Sequence, residues 1–411
     1  MRKYLVSFLF LCLISTCTIA QVAKVYVKKV DNGFKLEVNG KGFFINGMNW
    51  DYYPIGTNYK YSLWQQPAKT IKEALDYEMS LLKKMGVNTV RQYTGIPPEW
   101  ITYIYEKYGI YTVLNHPFGR YGLTVNGKWE ANTDYSNPLV KEVLIKELND
   151  LTNKYKNTPG LLMFLLGNEN NYGLFWQGAE TEDIPIKDRK STTTAINLYK
   201  LFNEAAISMK SIDNNLPIAI CNGDLMFLDI IAKECADVDI LGVNIYRGLS
   251  FGDAFEKIKI TYNKPVMFTE FGADAFNQIK KSEDQNAQSN CLVQNWKEIY
   301  ANAFGGRKSE NCIGAFTFQF SDGWWKSGLD LNLDIHDSTA SWSNGGYKFD
   351  FQKGKNNMNE EWFGICAKGS TNKNGVYKLL PRAAYYALKK LHKTYTPTIL
   401  KNYNQVSLGH N

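Results

Sequence analysis

Cysteine is scarce and poorly spaced for metal binding. Of seven in 411 residues, Cys12 and Cys17 fall in an apolar leader, and the other five are Cys221, Cys235, Cys291, Cys312 and Cys366. None of them stands in a CxxC pair, which argues against a zinc site. Five is an odd number; one or two disulfides stay open for an exported protein, with buried free thiols expected for most. Charge is not concentrated either. Lysines occur as scattered pairs on expected helix faces and never as a block of five or six, so there is no footprint for nucleic acid. Beyond residue 20 no apolar run is long enough for a membrane span. Neither an internal repeat nor a low-complexity linker interrupts the chain.

The leader itself, MRKYLVSFLFLCLISTCTIA, sets Arg2 and Lys3 before an apolar core from Tyr4 to Ile14, with Thr18 and Ala20 ahead of Gln21. That is the pattern of a cleaved secretory signal over residues 1–20. The expected mature chain, 21–411, is then one exported domain, periplasmic, cell-surface or secreted. Cys17 leaves lipid attachment as the lesser alternative, because Thr16 before it matches a lipoprotein cleavage box poorly. Loss of the leader removes two basic residues and no acid, taking the formal charge from +7 to about +5. The excess is aromatic, with 10 Trp and 26 Tyr. About half of these belong to the core by their ordinary burial tendency. The remainder supply flat apolar surfaces of the kind that stack on ligands such as sugars.

Short apolar runs alternate with helical patterns along the whole chain. After a small β-ribbon over 22–44, the runs are Phe43–Asn49, Val87–Tyr93, Ile110–Asn115, Leu161–Leu166, Pro217–Cys221, Val238–Val243, Pro265–Thr269 and Cys312–Phe318. Runs of this length without alternation fit parallel strands buried on both faces. Between them, Thr70-Ile71-Lys72-Glu73 reads as a capping box opening a helix that Gly86 ends. Pro97-Pro98 and Asn137-Pro138 open the next two helices, a fourth spans Thr193–Met209, and a last one spans Pro381–Lys393. Eight such alternations predict a closed (β/α)8 barrel. About fifty residues rich in Gly, Asn and aromatics follow the eighth strand, a long insertion expected over the carboxyl ends of the strands.

Two of the runs deliver an acid to their own end. Leu161–Leu166 leads through Gly167 and Asn168 to Glu169, and Pro265–Thr269 leads to Glu270. Carboxylates at the carboxyl ends of barrel strands are positioned for chemistry. A facing pair is what retaining hydrolysis of a glycoside requires, one as acid/base and one as nucleophile, about 5–5.5 Å apart.

With these residues in place, the chain resembles the clan A retaining glycoside hydrolases, above all the TIM-barrel domain of glycoside hydrolase family 2. More distantly it resembles fungal-type β-1,3-glucanosyltransferases. The resemblance rests on Gly167-Asn168-Glu169 and on Thr269-Glu270-Phe271-Gly272-Ala273-Asp274. It implies Glu169 as acid/base, Glu270 as nucleophile, Arg91 as the arginine that keeps the nucleophile charged, and Asn168 as a partner of the sugar 2-hydroxyl. It further implies Tyr246 as a donor to the nucleophile and either Trp324 or Trp325 beneath the sugar, and it calls for no metal or organic cofactor. There are two departures. The chain has no room for the β-sandwich domains that usually precede the family 2 barrel, and the segment after strand eight has no counterpart in the resemblance.

The expected activity is retaining hydrolysis of a β-linked oligo- or polysaccharide, such as a β-glucan. Transglycosylation on the same site and a non-catalytic glycan-binding barrel are the alternatives. Trp50, Trp176 and His116 are further candidates for substrate contact. Asp51, Asp134 and Asp274 could meet hydroxyls, with loop solvation the plainer account, and Glu360 and Glu361 read as a solvated face or substrate contacts.

Overall fold

The computed structural model describes residues 22–31, 33–175, 192–327 and 330–405. Eight parallel strands close into a barrel: β1 (Ile45–Asn49), β2 (Thr89–Tyr93), β3 (Tyr111–His116), β4 (Leu161–Leu166), β5 (Ile218–Gly223), β6 (Ile240–Asn244), β7 (Val266–Phe271) and β8 (Cys312–Thr317). β8 pairs with β1 to complete the ring. Their helices are α1 (Ala68–Met85), α2 (Pro98–Tyr108), α3 (Pro138–Tyr155), α4 (Thr192–Ile212), α5 (Leu228–Glu234), α6 (Ala254–Thr261), α7 (Gln285–Asn302) and α8 (Ala383–Gln405). The expected (β/α)8 barrel is the one found. Every residue of β4 is buried, as a strand filled on one face and roofed by helices on the other must be.

Local chemistry sets some of the boundaries. Gly86 ends α1 at φ 93°, its N–H bonding back to Leu82 and Lys83 carbonyls. Asn137 caps α3 by accepting from the Leu139 N–H, with Pro138 at the first helical position.

Three readings of the sequence need correction. Thr70 does not open α1: the helix begins at Ala68 after Pro67, with no side-chain cap. Glu73 accepts instead from Asn372 and Asn374 of the insertion. Phe43–Asn49 is two strands, because Lys41–Phe43 completes a three-stranded antiparallel sheet with Val25–Val30 and Gly33–Val38 before β1 starts. That sheet lies at the amino ends of the barrel strands, where Phe34 N–H bonds to the Glu310 carbonyl just ahead of β8. Finally, α8 continues past Lys393 and through Pro397, since Ile399 and Tyr403 are buried beyond it. Tertiary burial there outweighs the lost backbone donor. The five cysteines among the described residues are all free and buried, which closes the disulfide alternative for them.

The insertion after β8 lies against the carboxyl ends of the strands. A one-turn 3-10 helix (Glu360–Trp362) and a hairpin (Cys366–Thr371 with Tyr377–Pro381) give it structure. Gln319 and Ala275 donate backbone hydrogen bonds to Phe363 and Trp362. Buried Arg382 grips Asp322 through both terminal nitrogens at 2.6 and 2.8 Å and reaches Glu283 at 2.5 Å. The His336 ring is sandwiched between Trp324 and Trp362, with centroids 4.6 and 3.7 Å away.

Candidate active site

Arg91, in the middle of β2, points into the barrel mouth with a fully buried side chain. It donates to Glu270 Oε1 at 2.5 Å, to Asn115 Oδ1 at 2.8 and 2.6 Å, and to Asn168 Oδ1 at 2.8 Å. A guanidinium with its fork of donors can hold several acceptors at once, which a lysine cannot. Three strands, β2, β3 and β7, and the turn after β4 are thereby tied to one side chain.

Glu270 is the penultimate residue of β7. Pairing on both sides of the strand shifts register just before it, so that Asn244 lies opposite Glu270 and Thr269 is skipped. Such irregularities re-aim side chains at strand ends. The second carboxylate oxygen accepts from the Tyr246 hydroxyl at 3.1 Å. Each of its two oxygens is therefore held by a donor, one by the guanidinium and one by the phenol.

Glu169 sits in a different environment. It follows Gly167, whose φ of 81° turns the chain sharply off β4, and itself adopts φ 57°. A Cβ on Gly167 would lie 2.6 Å from Asn170 Oδ1, the atom that receives the Asn168 N–H. Asn171 clamps the turn to β5 by bonding both the N–H and the carbonyl of Gly223. The Glu169 carboxyl accepts from Asn244 Nδ2 at 3.0 Å. Burial, followed by the negative charge of Glu270, pushes its pKa up to about 7, against the opposing pull of Asn244, Arg120 and Arg91. One carboxyl is thus paired with a cation, and the other is pushed toward its protonated form by burial.

Both glutamates line a cavity of about 900 Å³ at the carboxyl ends of the strands, together with Arg91, Asn168, Tyr246, Trp50 and Trp325. Asn168 directs its Nδ2 to the Tyr121 hydroxyl at 2.8 Å, its oxygen being taken by Arg91 and Asn244. Trp50 contributes little surface because its indole N–H turns inward to Glu78 at 2.6 Å.

Two expected contacts fall elsewhere. Trp324 stacks on His336 and is not in the cavity wall, whereas Trp325 is, edge-on to Tyr53 and Tyr59. His116 Nδ1 is taken by the Phe118 N–H and its Nε2 lies 3.5 Å from Glu147, away from the cavity wall. Trp176 lies outside the described residues.

Sequence reasoning missed Asn244, Asn115 and Tyr121, each of which bonds a proposed functional side chain. For the first two the usable signal was an Asn at the end of a barrel strand; Tyr121, in a loop, offered none. Phe318, Trp342 and Phe363 surround Tyr246. Among the described residues, no group of three or more His, Cys, Asp or Glu side chains could hold a metal ion, and no helix is long and apolar enough to cross a membrane.

A family model for the TIM-barrel domain of the family 2 glycosyl hydrolases matches residues 29–327. The chain belongs to this family. A comparison with curated protein sequences found no match. Among solved structures, the family 2 β-galacturonidase of Eisenbergiella tayi is similar at 15% identity and a TM-score of 0.52, over 90% of this chain and 54% of that one. The β-D-glucuronidase of Dictyoglomus thermophilum gives 16%, 0.55, 90% and 54%. Saccharomyces cerevisiae Gas2p, solved with laminaripentaose, gives 18%, 0.51, 90% and 69%. At these identities the likeness is one of fold, and this family 2 chain spans about half the length of the two bacterial enzymes.

Proposed function

We propose that this family 2 barrel is a retaining glycosidase acting on β-linked glycans, β-glucans or related chains, by double displacement. Glu270 attacks the anomeric carbon as the glycosidic C–O bond breaks, and Glu169 gives its proton to the departing oxygen. Glu169 then takes a proton from water, whose oxygen displaces Glu270 from the same carbon. Arg91 and Tyr246 hold the nucleophile in place; Asn168 meets the 2-hydroxyl and Trp325 supplies a stacking face.

The observation that carries this reading is the contrast between the two carboxyls. Glu270 bonds Arg91 and Tyr246, whereas Glu169 is pushed up to about 7. Paired titratable groups with environments that separate their proton affinities mark an acid and a base. The resemblance to glucanosyltransferases and the fold shared with Gas2p favour a second reading, in which a sugar hydroxyl replaces water in the second step. The leader pattern supports export of the mature chain.

The test is incubation with a panel of β-linked oligosaccharides, following product size and the anomer first released by proton NMR, for wild type and Glu270→Ala. A β product appearing first, lost by at least about a thousandfold in the variant, is expected. An α product first, or equal turnover by both proteins, refutes the mechanism. Products longer than the substrate select transfer over hydrolysis.

A further inference from the structure

The cavity holds more acid than the two-step chemistry uses. Glu270 is answered by Arg91, and Asp224 by Arg247 at 2.5 Å. Apart from Glu169, two carboxylates in the wall have no such partner. Asp51, just beyond β1, receives no hydrogen bond or ion pair from another side chain among the described residues; Lys326 and Lys368 act on it only through their charge. Glu360, in the short helix of the insertion, is likewise unpaired there, and its charge falls on Tyr246. The wall's remaining cation, Lys326, lies 4.5 Å over the Trp325 ring and 5.4 Å over Phe318. Lys368 is engaged behind the wall, donating to the Tyr53 carbonyl at 2.7 Å.

An ionised carboxylate is an acceptor only, with room for several donors. Half-enclosed acceptors that the protein leaves open are satisfied by what enters the cavity. Sugar hydroxyls are donors; the C6 carboxylate of a uronic acid is a second negative charge, and like charges brought together in an enclosed site cost several kcal/mol. A group built to accept from a hydroxyl also rejects a ligand that cannot donate.

Building on the glycosidase reading, we propose that Asp51 and Glu360 are the hydroxyl-reading residues of the site and select neutral sugars over uronic acids. They stand at opposite ends of the chain's contribution, one on the barrel and one on the insertion. The insertion therefore completes the binding surface as well as covering the strand ends. Burial outweighs the two lysines and holds the Asp51 carboxyl above its ordinary range, so a hydroxyl donor from the ligand would favour its charged form.

The experiment uses matched pairs differing only at C6: aryl β-glucoside with aryl β-glucuronide, and aryl β-galactoside with aryl β-galacturonide, plus laminaripentaose. Turnover and calorimetric binding are measured for the full mature chain, for Asp51→Asn and for Glu360→Gln. Wild type is expected to favour the neutral member by at least about tenfold. Each variant should lose about tenfold to a hundredfold on the neutral sugar, the range for a hydrogen bond to a charged group, and should narrow the neutral-to-uronic ratio. A wild-type preference for the uronic member overturns the proposal. So do folded variants with an unchanged ratio. Should Asp51→Asn fail to fold, the wild-type ratio and Glu360→Gln decide. Selective binding of neutral sugars without cleavage would refute the glycosidase reading alone, while binding of no probe would refute both.

Discussion

Arg91 Nη1 lies 2.5 Å from Glu270 Oε1, with the arginine wholly enclosed and the glutamate open only toward the cavity. The pair joins β2 to β7 across the barrel mouth, so the residue that tunes the proposed nucleophile is also a strut of the fold.

Removing Arg91 should therefore damage stability and activity together. Arg91→Leu leaves Glu270 without its cation, strips the Asn115 oxygen of its donors and leaves the Asn168 oxygen without one of its own, a cost of about 3–5 kcal/mol. Arg91→Lys should recover little, because a point charge cannot serve all these acceptors. Denaturant unfolding measures the loss; a midpoint equal to wild type would contradict the strut.

The pH profile should follow Glu169. With its pKa pushed up to about 7, the acid is protonated below that pH and lost above it, so kcat/KM on a sugar leaving group should fall as pH rises through about 7. Glu169→Gln, assayed on a dinitrophenyl glycoside whose leaving group needs no proton, should lack this limb. Persistence of the limb in the variant would assign it to another group.

Stability should also decline toward alkaline pH, through Glu78. This carboxyl, completely buried on α1 and bonded to the Trp50 indole, is pushed up to about 8 by burial, from 4.5 in an exposed chain. The folded state thus binds the proton more tightly than the unfolded one. Its contribution is complete below about 4.5 and disappears as pH rises through about 8, and Glu169 acts in the same direction. Glu78→Gln should flatten the melting temperature between pH 5 and pH 9; an equal slope in both proteins would rule Glu78 out.

The adjacent tryptophans should respond differently. Trp325→Ala removes a cavity-wall ring and should weaken glycan binding about threefold to tenfold with little change in melting temperature. Trp324→Ala removes a ring from the His336 stack and should lower the melting temperature while leaving affinity nearly unchanged. Titration calorimetry and thermal melts on both variants separate the two roles; equal effects would contradict the assignment.

How much of this was legible in the chain differs by level. Leu161–Leu166 was readable as a buried strand because a continuous apolar run has few other stable placements, and Gly86 and Asn137 acted as stops and starts through their own chemistry. The Thr70-Glu73 capping box misled, since the helix already starts at Ala68 without a side-chain cap and Glu73 found partners in the insertion. The last helix runs beyond the expected end at Lys393, because burial of Ile399 and Tyr403 outweighs the local penalty of Pro397.

Period and punctuation sufficed to specify eight strands, their order and the two glutamates at strand ends, because these depend on near neighbours in the chain. The choice between Trp324 and Trp325 did not, nor did the sharing of Asn244 between Asn168 and Glu169, or the meeting of Asp51 with Glu360 in one cavity. Those relations join residues from separate strands and from the insertion. Only the folded barrel with its insertion brings them around one cavity, and only there do two chemically identical carboxyls meet different surroundings, Glu270 paired with Arg91 and Glu169 pushed up by burial.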